Sequence, residues 1–236
     1  MKSNPTDRTE KLIDEIHDIH ASAWSGAAPP ASKKEAYERA MLDAMRKLSL
    51  ELLRRGVTTT VMEGAYLMWW LRLACINHRF AEGGFERSLS RVGPLVGPVS
   101  EIMMRLGKEI EDDGPLPEMR RLGEKLEELR GLHGGAVATK PRSREEEDAQ
   151  TEIAHVLIRQ TVLASADVSI PPAVIEGMLL YFWFRCTANR YGLDEAFFQK
   201  IERHWGIVIE HINRYMDEQA AADRRSVGGR RPRRAT

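Results

Sequence analysis

At 236 residues, with 42% hydrophobic and 30% charged residues, the chain has the length for one large or two small domains and the composition of a globular protein. Its 35 Lys+Arg balance 35 Asp+Glu, and two cysteines are too few for a disulfide framework. The longest apolar run, GMLLYFWF, falls far short of the ~20 residues a membrane-spanning helix needs, and MKSNPTDRTEK lacks an apolar signal region, so a cytoplasmic protein with no membrane partner is expected.

Helical periodicity runs through nearly the whole chain and strand signals are almost absent, which makes the expected fold class all-α. A first helix is predicted over 8–24, with Leu12, Ile16, Ile19 and Ala23 on one side. After the loop SGAAPPA, Ser32 and Glu35 have capping-box spacing and open a helix to about Arg55, with Tyr37, Met41, Met45, Leu48 and Leu52 as its core stripe. Gly56 stops it, and an apolar helix follows over 58–80, ended by Gly83-Gly84. Residues 85–110 read as one helix that Pro94 and Pro98 are expected to kink or break.

A short amphipathic helix over 117–131 and the linker HGGAVATKP lead to a second capping box, Ser143 with Glu146, opening a helix to about Ala166. Ser169 and Pro171-Pro172 start a second apolar helix that runs to about Tyr191, and Asp194 opens a last helix to about Ala222. The end of the chain has no apolar content to fold with and is expected to be disordered.

An offset of 113 residues aligns 45–103 with 158–216 without a gap, pairing Val61 with Val174, Glu63 with Glu176, Gly64 with Gly177, Trp70 with Trp183 and Arg72 with Arg185. Each copy reads as three helices: amphipathic, apolar, amphipathic. The expected architecture is therefore a helical bundle of two tandem pseudo-symmetric three-helix units, at 32–110 and 143–222. They are flanked by an N-terminal helix and linker at 1–31, a bridging helix and linker at 111–142, and an Arg-rich tail at 223–236.

A helix apolar all round and too short for a membrane belongs inside a bundle or at a subunit interface. Gly64 and Gly177 would let another helix approach closely. Glu63 and Arg72 lie nine residues apart on opposite faces of one helix and cannot pair with each other. A pseudo-two-fold would satisfy both copies through Glu63 with Arg185 and Glu176 with Arg72, and a buried charge needs some such partner. Thr60 and Glu63 also have capping-box spacing, which the second copy lacks because Ala173 replaces the threonine.

Glu63 and Glu176 are the candidate catalytic carboxylates, in an α-helical enzyme or a ligand- or metal-binding protein with a pocket between the repeats. Structural ion pairing is the favoured role for both. Asp14 with His17 and Glu152 with His155 have the carboxylate–histidine spacing that holds metal ions on bundle helices, yet the histidines do not follow the duplication. Arg72 and His78 also fall within the Arg–His spacing used by some helical ribonucleases, a loose pattern in which the second copy carries Tyr191 for the histidine. No cofactor is expected, since no phosphate loop, Ser/His/Asp set or Cys-x-x-Cys pair occurs.

The neutral total hides an asymmetry. The last thirteen residues, RRSVGGRRPRRAT, hold Arg224, Arg225, Arg230, Arg231, Arg233 and Arg234 and no acid, leaving 29 Lys+Arg against 35 Asp+Glu elsewhere. Such a tail suits nonspecific contact with nucleic acid or another anionic partner. The sequence thus points to a non-enzymatic interaction or regulatory protein, self-associating or bound to a protein partner, with helices 8–24 and 117–131 as the elements freest for contact.

Overall fold

The computed structural model describes residues 11, 12, 15, 32–109, 121, 124, 125, 128, 141, 143–191 and 195–229, with the backbone alone at 189–191, 195, 196 and 199. Every regular element among them is helical: α1 Lys33–Arg54, α2 Thr59–Asn77, α3 Gly84–Leu89, α4 Val92–Glu109, α5 Arg144–Asp167, α6 Pro172–Tyr191, α7 Glu195–Arg203 and α8 Trp205–Gly228. No helix among the described residues is long and apolar enough to cross a membrane. Most of the predicted helices at 8–24 and 117–131 lies outside the described residues. Those described there are helical and tie the two segments together, Lys125 Nζ lying 2.9 Å from Glu15 Oε2.

The chain packs as two compact units, and each draws on two separated stretches of sequence. One takes residues 1–67 and 113–196, the other 68–112 and 197–236, so α2 gives its first half to the first unit and its second half to the second. In the first unit α1 lies against both α5 and α6. Met41, Met45, Leu48 and Leu52 of α1 are buried, as are Ala154, Ile158 and Val162 of α5 and the whole run Ile175–Phe184 of α6. Continuous burial of α6 is what an apolar helix without a polar face requires.

Helix α2 differs from its counterpart. Val61, Ala65, Tyr66, Trp70, Leu71 and Ala74 are buried, whereas Gly64, Arg72 and Ile76 are exposed. Among the described residues Gly64 seats no neighbouring helix: a Cβ built there meets none of them within 4 Å. Replacing Gly64 by alanine is expected to stabilise the protein by about 0.5–1 kcal/mol, because only the entropic cost of a mid-helix glycine changes. A urea midpoint that fell would instead put a close contact at this position.

The start of α2 is held from a distance. Thr60 is the second residue of the helix. The Thr58 N–H donates to Gln150 Oε1 on α5 at 3.0 Å, and Gln150 Nε2 donates in turn to Glu146 Oε1 at 3.1 Å. Ser32 and Glu35 do form the reciprocal box expected of them at the start of α1.

In the second unit α4 packs on α8, through Leu95, Val99, Met103 and Leu106 on one side and Val208, Ile212, Met216 and Ala220 on the other. Both helices expected over 85–110 and 194–222 are divided in two. The first breaks at Ser90-Arg91, ahead of the prolines rather than at them. Pro94 sits in the first turn of α4, where a helix has no use for its missing N–H. Pro98 lies inside the helix and cannot donate to the Pro94 carbonyl one turn back. Tyr215 of α8 supplies the missing donor, its hydroxyl 3.2 Å from Pro94 O. Where α7 meets α4, Gly107 leaves room for Phe197, whose ring carbon would lie 2.5 Å from any Cβ at that position.

Candidate functional site

The first unit places a group of polar side chains among the buried rings of α1, α2 and α6. Ser49 and Tyr66 share a hydrogen bond of 2.8 Å, and the Tyr66 and Phe182 rings lie 6.0 Å apart. Burial drives the Tyr66 phenol well above its ordinary range, with the neighbouring Cys186 adding to the effect and the Ser49 hydrogen bond opposing it. Glu63 is half-buried and its Oε1 accepts from the Thr187 hydroxyl at 3.0 Å. Arg185, on the same turn of α6, donates from Nη1 to the Tyr181 hydroxyl at 3.0 Å. Glu176 is 5% exposed.

Cys186 sits beside Glu63. Taken as a whole the residue is half-buried, yet its thiol is enclosed: burial first and the Glu63 carboxylate second push it up to about 12, against the pull of Arg185. The proton is held more tightly in the folded chain, so the stability it contributes is complete below the ordinary thiol range. It is lost as pH rises toward 12. Cys186 is therefore expected to resist iodoacetamide at pH 7.5 and to react only on unfolding. Rapid labelling of Cys186 in the native protein would place its thiol at the surface.

The remaining sequence candidates separate. Asp14 and His17 lie outside the described residues, while Glu152 is exposed and His155 half-buried on α5. Among the described residues no group of three His, Cys, Asp or Glu is gathered as a metal ion would need. His78 turns toward Asp217, its Nδ1 2.8 Å from Oδ1, while Arg72 lies exposed against aromatic rings. Arg224 and Arg225, expected in a disordered tail, are helical. Helix α8 continues to Gly228, six residues beyond the predicted end, and takes in Arg224 and Arg225. Arg225 Nε donates to Ala221 O within the helix. Arg230, Arg231, Arg233 and Arg234 lie outside the described residues.

That longer helix holds the second unit's surface in place. Helix α2 ends at Asn77 and the chain turns through Arg79, whose φ of 54° is left-handed, closing with Phe80 N–H on Cys75 O at 3.0 Å. Arg224 Nη1 donates to the carbonyls of His78 (3.1 Å) and Arg79 (2.6 Å), covering the negative end of α2 with a cation. Asp223 takes the rest of the turn. Its carboxylate accepts from Ala81 N–H at 3.0 Å and from Arg87 Nε and Nη2 at 2.8 and 3.0 Å. The fork of Arg87 holds the Asp223 carboxyl below its ordinary range, more than burial raises it. Gly84 is close-packed there, since a Cβ on it would stand 2.6 Å from Phe80 Cβ.

Between the end of α2 and α3 this turn leaves an open groove of about 450 Å³ lined by Arg72, Ile76, Arg79, Phe80, Phe85 and Glu86. Ile76 is 66% exposed. The Arg72 guanidinium carbon lies 5.4 Å from the Trp69 ring centroid and 5.0 Å from that of Phe85, so two rings fix its orientation. Sequence reasoning took Arg72 for an ion-pairing residue and missed the groove, because its walls come together only when α8 fastens the turn. No family model, curated protein or solved structure matches this chain.

Proposed function

We propose that this chain is a helical interaction protein that binds another protein through the second unit, with the arginines beyond Gly229 as an auxiliary contact for anions. The observation that carries this reading is the groove, where a large apolar side chain, Ile76, stands two-thirds exposed beside an arginine held between two rings. Aromatic and arginine side chains grouped around an exposed apolar one are the usual makings of an energetic centre at a protein interface.

The duplication belongs to the same reading. Helices α2 and α6 start at Thr59 and Pro172, and α4 and α8 at Val92 and Trp205, both pairs separated by the offset found in the sequence. Gly56 and Ser169, equivalent under that offset, are both left-handed, at φ 74° and 61°. The hydrogen bonds around them correspond as well, Val57 N to Leu52 O and Ile170 N to Ser165 O each being 3.0 Å. A serine in that conformation is uncommon, and its recurrence supports descent from one ancestral unit. The two helices differ in burial: Ile175–Phe184 of α6 are all buried, whereas Gly64, Arg72 and Ile76 of α2 are exposed.

Native mass spectrometry of the full chain and of a form ending at Gly229 tests the proposal. An oligomer or a retained protein in both forms, with nucleic acid held only by the full chain, is the expected outcome. A metal ion or small molecule retained by the shortened form would overturn it, in favour of a ligand site at Glu63 and Glu176. The cut belongs after Gly229, since ending the chain at Asp223 would remove Arg224 from the turn it caps.

A further inference from the structure

We infer that the groove of the second unit receives an acidic peptide segment, with a carboxylate on Arg72 and Arg79 and an adjoining apolar side chain on Ile76. This rests on the interaction reading above and names the partner chemistry of the same site.

The two copies of the duplicated helix make the comparison. Arg72 and Arg185 occupy equivalent positions, but Arg185 is half-buried and donates to Tyr181 Oη at 3.0 Å. Arg72 is exposed, and its contacts are to the faces of Trp69 and Phe85. The two ring faces offset its charge without using its N–H donors, and among the described residues of its unit no carboxylate lies within 4 Å of it. A planar fork held in one orientation with uncommitted donors is preorganised for bidentate binding of a carboxylate, because little conformational freedom remains to be lost. Arg79 stands on the same groove, also exposed, its backbone fixed by Arg224.

The neighbours select the class of partner. Ile76 lies one turn beyond Arg72 on the same face of α2, which sets an apolar contact one helical rise, about 6 Å, from the carboxylate position. Glu86 on the rim would repel a continuous phosphate backbone, but it can accept a hydrogen bond from a peptide N–H. Mixed charge around an apolar floor therefore suits a peptide of alternating acidic and aliphatic residues, and a nucleic-acid strand fits it less well.

Fluorescence anisotropy with the full chain provides the test. The probe is a labelled twelve-residue peptide of repeated Leu-Glu-Asp units, and the comparison is a labelled oligothymidine of equal charge. Saturable peptide binding is expected, weakened about tenfold or more by Arg72→Ala and by Ile76→Glu. Arg72→Lys should not restore it, since an ammonium keeps the charge but loses the fork and the stacking. Absence of saturable peptide binding overturns the inference, as does binding indifferent to Arg72→Ala, whereas the native mass spectrum decides the interaction reading separately. Oligothymidine bound through Arg72 and Ile76 more tightly than the peptide overturns it in favour of a nucleic-acid site. Circular dichroism of each variant must match the parent, and Arg72→Lys serves as the variant least disturbing to the fold.

Discussion

Replacing Asp223 by alanine is expected to release the turn from Arg79 to Ser90 while leaving the first unit folded. The substitution takes the acceptor from the Ala81 N–H and separates Arg87 from its carboxylate. Stranding a partly buried backbone donor alone costs about 1–3 kcal/mol. Hydrogen exchange should read this as a rise of about tenfold or more for amides 79–90, against little change in α5 and α6. Exchange unchanged across that segment would show that the turn stands without Asp223.

The same contact has a defined pH dependence. Asp223 has its folded-state pKa depressed, chiefly by Arg87, so its contribution is fully present above the ordinary aspartate range. It is lost as pH falls through the depressed value. Acid should therefore loosen residues 79–90 in the parent chain, and the alanine variant should show no such local transition. Peptide binding in the groove, which is built on this turn, should weaken over the same acid range.

The second large effect lies in the cores. Trp183 and Trp70 are each 1% exposed, at equivalent positions of α6 and α2. Truncation of either to alanine removes a large buried surface and leaves a cavity that helical neighbours can only partly fill, a cost of about 3–5 kcal/mol. Against a typical domain stability of about 5–15 kcal/mol, that places both variants close to unfolding. Urea denaturation followed by circular dichroism measures it. A loss below about 1 kcal/mol would mean that the cores reclose around the gap.

Local signals carried most of the fold. Ser32 and Glu35 cap α1 as their spacing implies, and Met41, Met45, Leu48 and Leu52 are its buried stripe. These features depend on residues within a turn or two of one another, which is what periodicity and capping rules describe. Failures came where a distant residue decided the outcome. The prolines were expected to kink or break their element; the break falls at Ser90-Arg91, and Tyr215 of α8 donates to the Pro94 carbonyl that Pro98 leaves unserved. At the start of α2, likewise, the Thr58 N–H finds its acceptor on Gln150, 92 residues away.

The candidate site was less legible for the same reason. Arg87 and Asp223 are 136 residues apart, and nothing in either local sequence links them. Asp223 does stand directly before the two arginines that were assigned to the tail. An acid placed there is a weak sign that the helix continues, and Arg224 proves to be a cap for α2, not part of a free basic arm. Arg72 was singled out as an arginine in an apolar helix, and the rings of Trp69 and Phe85 beside it were not foreseen. Its helix is buried on one side only, which composition cannot distinguish from burial all round.

The interleaving of the two units governs how the chain can acquire its structure during synthesis. Residues 1–67 leave the ribosome long before 113–196, yet they share a unit. The start of α2 has no acceptor for Thr58 N–H until Gln150 has been made. Helix α8, made after both of them, contains the carboxylate that fastens residues 81–87. Translation at roughly 5–20 residues per second leaves the nascent α2, with Trp69 and Trp70, uncovered for several seconds. Contacts between such distant parts of the chain also slow folding after release, because loop closure precedes the reward of contact. The yield of folded protein is therefore expected to depend on translation speed, which expression with slowed elongation would measure.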